Sequence, residues 1–371
     1  MRGSNVKILS RDLLVPAYTI GVIGAFLQVA GGYWDITWHV LGIVETFFTP
    51  PHAILYTGVA LVLLAAILGL LMRVRVFSND DPQRHLLSGL LIAAVGGGLQ
   101  VAAGPLDFWW HSTFGFDPFL FTPSHSLLII GIILGGFGMA IGSVRLLQAY
   151  RSNMPLGRFL ASSKWLQVLV LLALTTLWQD LGAFIHLVTD VRGMAYTFNL
   201  SKDFVNQTLP TIYLATPIIA LGAAGTLVLF SVKSILRWTG AVTTVALLSA
   251  FLSATVNLGF RAFVLAGKEE GSALASFIPL YISLVVPVLL FDLVVKNSQG
   301  RARTVLAAAV IAPFASLLSG GRPLYLLIQI RPLIPILIVP IVVAGAIAGL
   351  SGIRFADALL RQQPVTATQT R

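Results

Sequence analysis

The segment that decides the fold is residues 52–72, which read HAILYTGVALVLLAAILGLLM and contain no aspartate, glutamate, lysine or arginine. A helix of about 20 mostly apolar residues spans the hydrocarbon core of a bilayer. Comparable segments recur at about 13–33, 52–72, 86–108, 124–146, 164–187, 209–232, 240–263, 273–295, 304–319 and 332–352. We therefore predict an all-α, polytopic helical membrane protein with about ten transmembrane helices. Prolines at 332, 335 and 340 make a re-entrant or broken segment an alternative for the last two.

The overall composition agrees with a membrane protein. Of the 371 residues, 57% are hydrophobic and only 10% are charged, whereas soluble domains are about 25% charged. The chain has no cysteine, which excludes disulfides, cysteine-ligated zinc and iron–sulfur clusters. The predicted environment is a lipid bilayer.

The basic residues predict how the chain is oriented. Those expected on the outer side are Arg192, Lys202, Arg261, Lys268, Arg322 and Arg331, which leaves 18 of the 24 lysines and arginines on the inner side. An excess of basic residues marks the cytoplasmic side. We therefore predict a multi-pass protein of the cell membrane with both termini inside. The formal charge of +10 follows from this topology and does not indicate a nucleic-acid partner.

A parallel duplication of a helical hairpin carries most of the polar residues of the N-terminal half. Residues 27–39 align without a gap on residues 99–111, with eight of thirteen positions identical, and residues 48–52 (FTPPH) align on residues 121–125 (FTPSH). An offset of 72 to 73 residues is the length of one helical hairpin, so both copies point the same way. We divide the chain into residues 1–150, with four spans and the two motifs, and residues 151–371, with six further spans of unknown role.

Each copy brings one carboxylate and two imidazoles towards the outer end of its hairpin. The aspartate and first histidine are four residues apart on one helix face. The second histidine follows a Thr-Pro pair that is typical of a helix start, with threonine as N-cap and proline first in the helix. The six candidate metal ligands are Asp35, His39 and His52 in the first copy, and Asp107, His111 and His125 in the second. Two histidines and a carboxylate bind copper, zinc or non-haem iron. We expect one or two ions.

Further polar and aromatic residues have possible roles around these sites. Gln28 and Gln100 are candidates to donate hydrogen bonds to the metal ligands, and Asp180 and His186 are candidates for an additional ligand or for a group that hydrogen-bonds to a ligand. For His186 the alternative is an interfacial histidine paired with Asp190, four residues later. The candidate pocket walls are Trp38, Trp110, Phe48 and Phe121. At the inner end of the eighth span, Asp292 and Lys296 are expected to pair on one helix face.

The motif Asp35-x3-His39-x12-His52, together with its second copy, resembles the metal motifs of the copper-site membrane subunit of the copper membrane monooxygenases. These enzymes are the particulate methane and ammonia monooxygenases. The resemblance covers about residues 20–150 and implies a divergent relative with one copper site in each hairpin. The family usually has asparagine as the first ligand of the second site, so Asp107 is a departure that makes iron or zinc more plausible there. In the family this subunit works with two others, which are the partners that the resemblance implies.

We therefore expect a metal-binding membrane protein that resembles the copper-site subunit of such a monooxygenase and oxidises a small apolar substrate with O2. One alternative is a metal transporter or an extracytoplasmic metal acceptor, which would continue its polar residues through the membrane. A second alternative is a structural or assembly subunit of the membrane that keeps a metal for stability. The sequence leaves the catalytic residues, the substrate and the electron donor open.

Overall fold

The computed structural model describes residues 10–40, 48–115, 119–199, 201–264, 288–289, 292–293 and 334–361, and every regular element within them is a helix. The α-helices are α1 (Leu14–Val40), α2 (Pro50–Arg75), α3 (Ser88–Phe114), α4 (Pro123–Arg151), α5 (Ser163–Val188), α6 (Val191–Thr197), α7 (Lys202–Leu236), α8 (Ala241–Val264) and α9 (Ile334–Leu360). Short 3-10 turns, Arg11–Leu13 and Arg84–Leu87, precede α1 and α3. The all-α prediction is therefore confirmed for the described residues.

Seven helices in the described part of the chain are long and apolar enough to cross a membrane. They are Arg11–Asp35, Pro50–Arg75, Arg84–Phe114, Pro123–Arg151, Ser163–Val188, Ile219–Leu236 and Leu337–Leu360. A multi-pass helical membrane protein is thereby confirmed as the class. Helix α8 covers the predicted span 240–263, and α9 runs without a break through Pro340. The predicted spans at 273–295 and 304–319 lie almost wholly outside the described residues, so the total of ten stays a prediction.

The duplicated Thr-Pro pairs do start helices, as the sequence predicts. Helix α2 begins at Pro50 and α4 begins at Pro123. Thr122 is the N-cap of α4, and its hydroxyl accepts a hydrogen bond from the backbone N–H of His125 at 3.4 Å. A proline in the first helical position loses nothing, because its missing N–H would have no partner inside the helix. The two descending helices therefore start in the same register relative to their histidines.

The two hairpins, α1 with α2 and α3 with α4, close through matching glycine contacts. A Cβ atom placed on Gly58 would lie 2.6 Å from the carbonyl oxygen of Gly24, and one on Gly131 would lie 2.7 Å from that of Gly96. Gly58 and Gly131 occupy equivalent positions in the duplicated segments, as do Gly24 and Gly96. Small residues let membrane helices approach closely and gain van der Waals contact. The same sequence feature therefore produces the same close helix approach twice.

Helix α5 packs beside α1 and α4 as a third long helix of this bundle. The indole Nε1 of Trp165, near the start of α5, donates to Thr19 near the start of α1 at 3.2 Å. The phenol of Tyr33, near the other end of α1, donates to the carbonyl of Gln179 at 3.2 Å. The start of α5 contacts the start of α1, and residues nearer the ends of the two helices also contact each other. Helix α5 is therefore parallel to α1. The helices α1, α3 and α5 terminate at the same end of the bundle. We call this end "the triad end".

At the opposite end, buried polar side chains tie the helices together. The carboxylate of Asp292 accepts from Lys233 Nζ at 3.1 Å, and from both the backbone N–H and the hydroxyl of Thr243 at 3.0 Å. Asp292 is thus paired with a lysine of α7, whereas the sequence predicts Lys296 as its partner. Lys296 lies outside the described residues.

Candidate metal centre

The second motif forms a three-residue cluster at the triad end, built by α3 and α4. Asp107 and His111 stand one turn apart near the end of α3, and His125 lies in the first turn of α4. The Oδ1 atom of Asp107 is 3.5 Å from Nε2 of His111 and 3.4 Å from Nε2 of His125. The three potential ligand atoms all lie within 4.8 Å of one another. The structure therefore brings these three predicted residues together around one point.

The opposite nitrogen of each imidazole faces a backbone carbonyl. Nδ1 of His111 is 3.3 Å from the oxygen of Gly115, and Nδ1 of His125 is 3.0 Å from the oxygen of Phe119. A carbonyl can only accept, so these contacts favour the tautomer in which Nδ1 carries the proton and Nε2 carries the lone pair. Metal-binding histidines are typically oriented in this way, with the second ring nitrogen donating to a carbonyl or carboxylate. Both Nε2 lone pairs are thereby aimed at the side of Asp107.

The composition of the cluster fits a divalent transition metal. Two neutral imidazoles and one carboxylate are a common ligand set for copper, iron and zinc. All three residues are half-buried, and Oδ1 of Asp107 is buried with no hydrogen-bond partner within the described residues. A buried carboxylate oxygen in this position is stabilised when a cation is bound beside it. Residues Asp107, His111 and His125 are the ones that would hold the ion.

Asp190 holds the loop that carries the second histidine, a role that sequence reasoning missed. Its Oδ2 atom accepts from the backbone N–H groups of Leu120 at 2.7 Å and Phe121 at 2.9 Å, and its Oδ1 accepts from Gly193 at 3.0 Å. The hydroxyl of Thr197 donates to the carbonyl of Phe121 at 2.8 Å. The only signal in the sequence is that Asp190 can cap the short helix α6. The loop contact could not be predicted, because it joins residues about 70 positions apart.

The first motif is described in part. Nε2 of His52 lies 2.8 Å from Oδ1 of Asp35, and the His52 ring stacks on Tyr56 with centroids 5.6 Å apart. The side chains of His39 and Trp38 lie outside the described residues. Two of the three predicted ligands of this copy are therefore adjacent at the triad end, and the position of the third stays a prediction.

Gln28 and Gln100 are buried in the bundle and bond to each other, with Nε2 of Gln28 donating to Oε1 of Gln100 at 2.9 Å. Each precedes the aspartate of its motif by two helical turns, which is about 10 Å along the axis. Asp180 is also buried inside the bundle, whereas His186 is exposed on α5. The sequence predicts all four residues near the metal sites. The structure brings the glutamines to each other.

The predicted wall residues have different environments. Phe48 is 81% exposed. Trp110 is half-buried and packs on Phe114, with ring centroids 4.5 Å apart. Phe121 is half-buried, and its ring lies 5.9 Å from that of Phe198. Trp110 and Phe121 therefore belong to aromatic contacts on α3 and on the loop before α4.

Fold and cluster together define a multi-pass helical membrane protein with an Asp-His-His group at one end of its bundle. No protein-family model, no curated protein and no solved structure matches the chain. Its function is therefore inferred from the geometry of its own residues.

Proposed function

We propose that this chain is a membrane metalloprotein and that Asp107, His111 and His125 hold a metal ion at the triad end. The observation that carries the proposal is the orientation of the two imidazoles. Each Nδ1 faces a backbone carbonyl at 3.3 Å or less, while each Nε2 faces the same oxygen of Asp107.

The first hairpin is proposed to hold a second ion through Asp35, His39 and His52. It is supported by the identical residue spacing and by the matching glycine contacts at Gly58 and Gly131, which give both hairpins the same closure. The same evidence supports a parallel duplication as the origin of the two motifs.

We further propose ten spans, with both termini inside and the triad end on the extracytoplasmic side of the cell membrane. The excess of basic residues at the other ends of the helices supports this orientation.

The activity that we propose is oxidation of a small apolar substrate with O2, by this chain alone or as the metal subunit of a larger membrane monooxygenase. The support is the resemblance of both motifs to those of the copper-site membrane subunit of the copper membrane monooxygenases. Copper, when bound, would supply the activation of O2, and iron or zinc is the alternative that Asp107 leaves open. The protein's part is to orient the two imidazoles, to offer one negative charge and to limit hydration. Trp110 and Phe114 provide an aromatic surface beside His111 for an apolar molecule.

A second candidate function is metal transport or extracytoplasmic metal acceptance. One observation favours it. Buried polar side chains continue below the triads, because Gln28, Gln100 and Asp180 all lie inside the bundle. A transport path would require such residues at depth.

The test is the metal content per chain of full-length protein purified in detergent, measured by elemental mass spectrometry. We expect stoichiometric metal in the wild type and a loss in His111→Ala. His85→Ala is the matched control, because its Nδ1 contacts Pro82 O in the loop before α3, at the opposite end. Copper would support the monooxygenase proposal, and iron or zinc would contradict the copper assignment. If reconstituted wild-type protein retains no metal, the metalloprotein proposal is wrong.

A further inference from the structure

Among the buried side-chain atoms of the bundle that have no partner within the described residues are three that lie on α1, α3 and α5. They are Oε1 of Gln28 on α1, Nε2 of Gln100 on α3 and Oδ2 of Asp180 on α5, and none has a hydrogen-bond partner in the part of the chain that the structure describes. The three residues are 0%, 4% and 2% exposed, respectively. Unpaired polar atoms at such depth cost free energy, and an ionisable group among them marks a functional site in membrane proteins.

The unpaired atoms lie beside two successive glycines of α4, the two glutamine atoms beside Gly135 and the aspartate atom beside Gly136. A Cβ placed on Gly135 would lie 3.7 Å from Nε2 of Gln100 and 3.9 Å from Oε1 of Gln28. A Cβ placed on Gly136 would collide with Oδ2 of Asp180. Successive residues of a helix point about 100° apart, so the glutamine pair and Asp180 approach α4 at the same level on adjacent faces. Any larger residue at Gly136 would displace the carboxyl group.

A second buried aspartate, Asp292, has hydrogen-bond and ionic partners for its carboxylate and can be compared with Asp180. Asp292 is paired with Lys233 and accepts two hydrogen bonds from Thr243. Asp180 has no such cation or donor on its Oδ2 atom within the described residues. An isolated carboxylate in a low-dielectric interior is strongly destabilised unless it takes up a proton or a cation.

The donor and acceptor pattern decides between these two ligands. The bond between Gln28 and Gln100 uses one amide nitrogen and one amide oxygen, so an acceptor on Gln28 and a donor on Gln100 stay without a partner within the described residues. Exchanging the nitrogen and oxygen of both amides leaves this balance unchanged. An N–H donor is a poor neighbour for a metal cation that stays bound at a fixed site, whereas a water molecule can accept from it and donate to the amide oxygen. A buried water typically makes about three hydrogen bonds, which this group supplies.

We propose that Asp180, Gln28 and Gln100 form a proton-binding site in the interior of the bundle. A proton from the aqueous phase binds the Asp180 carboxylate to give the neutral acid. One water molecule bonds to that acid, to the Gln28 oxygen and to the Gln100 amide. The site is independent of the metal centre, because it uses none of the side chains that would hold the ion.

The neighbouring titratable groups leave Asp180 as the group that takes up the proton. On α1, Tyr33 interacts with it electrostatically through its phenol, which donates to Gln179. On α4, the nearest ionisable residues are His125 and Arg145, towards its two ends. On the described side chains of α7, Lys233 is bound to Asp292, and α8 contributes no ionisable side chain over 241–252.

The test is infrared difference spectroscopy of the full chain in lipid nanodiscs at neutral pH. We expect one protonated carboxyl band per chain that is lost in Asp180→Asn and kept in Asp292→Asn. Gln100→Leu should shift the frequency of that band, since it removes a hydrogen bond to the same water. The neutral amide of Asp180→Asn imitates the protonated acid, so its thermal stability should stay within a few degrees of wild type.

Two results would overturn the proposal. One is a wild-type spectrum with no carboxyl band that Asp180→Asn removes. The other is a band that is present in choline chloride and absent in sodium chloride, which would make the site a sodium site. Metal content of Asp180→Asn should equal that of wild type, so a failure here is distinguishable from a failure of the proposed metal centre.

Discussion

The two hairpins share one motif but arrange it differently. In the first, Asp35 and His52 are in direct contact at 2.8 Å. In the second, Asp107 stands between two histidines at 3.4 Å and 3.5 Å, beyond the usual distance of a strong charge-assisted hydrogen bond. The second arrangement has three ligand atoms around a common point, and in the described part of the first hairpin the aspartate and the second histidine are in direct contact.

The difference shows that equal sequence spacing does not give equal distances between the aspartate and the second histidine of the motif. The second loop is fixed by Asp190 and Thr197, which come from outside the duplicated hairpins. We infer that the two sites differ in metal affinity and that the second fills first. Substitutions at the ligands and the loop test this difference in metal affinity. Substitutions at the shared glycines test the close helix approach that both hairpins have.

The largest effect is expected from removing a ligand of the second site. His125→Ala should lower metal affinity there by more than about 100-fold, because it removes a ligand in contact with the ion rather than an outer partner. His52→Ala should affect the other site and leave this one filled. Competition titration with a chelator, followed by elemental analysis, measures both. Equal losses in the two variants would show that the hairpins form one shared centre.

A smaller loss is expected when the support of the second loop is removed. Asp190→Ala frees the N–H groups of Leu120 and Phe121 and loosens the loop whose carbonyl orients His125. Outer partners of metal-binding histidines contribute about 10-fold to 100-fold in affinity. The same titration should show the loss at the second site alone. Unchanged affinity would mean that the Asp190 contacts serve only the fold.

Both hairpins have the same close glycine contact, so a glycine-to-alanine substitution at that contact should destabilise both to a similar extent. Gly58→Ala and Gly131→Ala place a Cβ 2.6 Å and 2.7 Å from a facing carbonyl, so each should destabilise the protein by about 1–3 kcal/mol. Gly98→Ala is the control, because a Cβ there meets nothing within 4 Å, and alanine favours the helix. Thermal unfolding in detergent compares them. A neutral Gly131→Ala would contradict the close approach.

The smallest effect is expected at the cap of α4. Thr122→Ala removes the side-chain acceptor for the His125 N–H and should cost about 1 kcal/mol. Thr122→Ser keeps the hydroxyl and should restore the wild-type unfolding temperature. A loss in both variants would assign the effect to packing of the threonine methyl group.

The features that can be predicted from the sequence are those with local signals. Apolar runs predict the helices, and the Thr-Pro pairs predict the starts of α2 and α4 at Pro50 and Pro123. The i,i+4 spacing of Asp107 and His111 predicts their shared helix face, and the hairpin length predicts that His125 returns to it.

The features that cannot be predicted depend on which helices become neighbours. The bonds of Asp190 to a loop about 70 residues earlier have no local signal. From the sequence, Gln28 and Gln100 are candidate supports of separate metal sites, yet they bond to each other across two helices. Asp292 pairs with Lys233 of α7, and the sequence around neither residue indicates this pairing. Tertiary packing supplies these partners, and a single sequence does not encode them in its spacing.

X-ray absorption at the edge of the bound metal would decide whether the second hairpin holds an ion. It should be recorded on His52→Ala, so that the first hairpin is disabled and the second is observed alone. We predict a first shell of nitrogen and oxygen ligands with scattering from two imidazole rings, reduced to one ring when His125→Ala is added. A spectrum without imidazole scattering, or one that His125→Ala does not change, would contradict a metal centre at Asp107, His111 and His125.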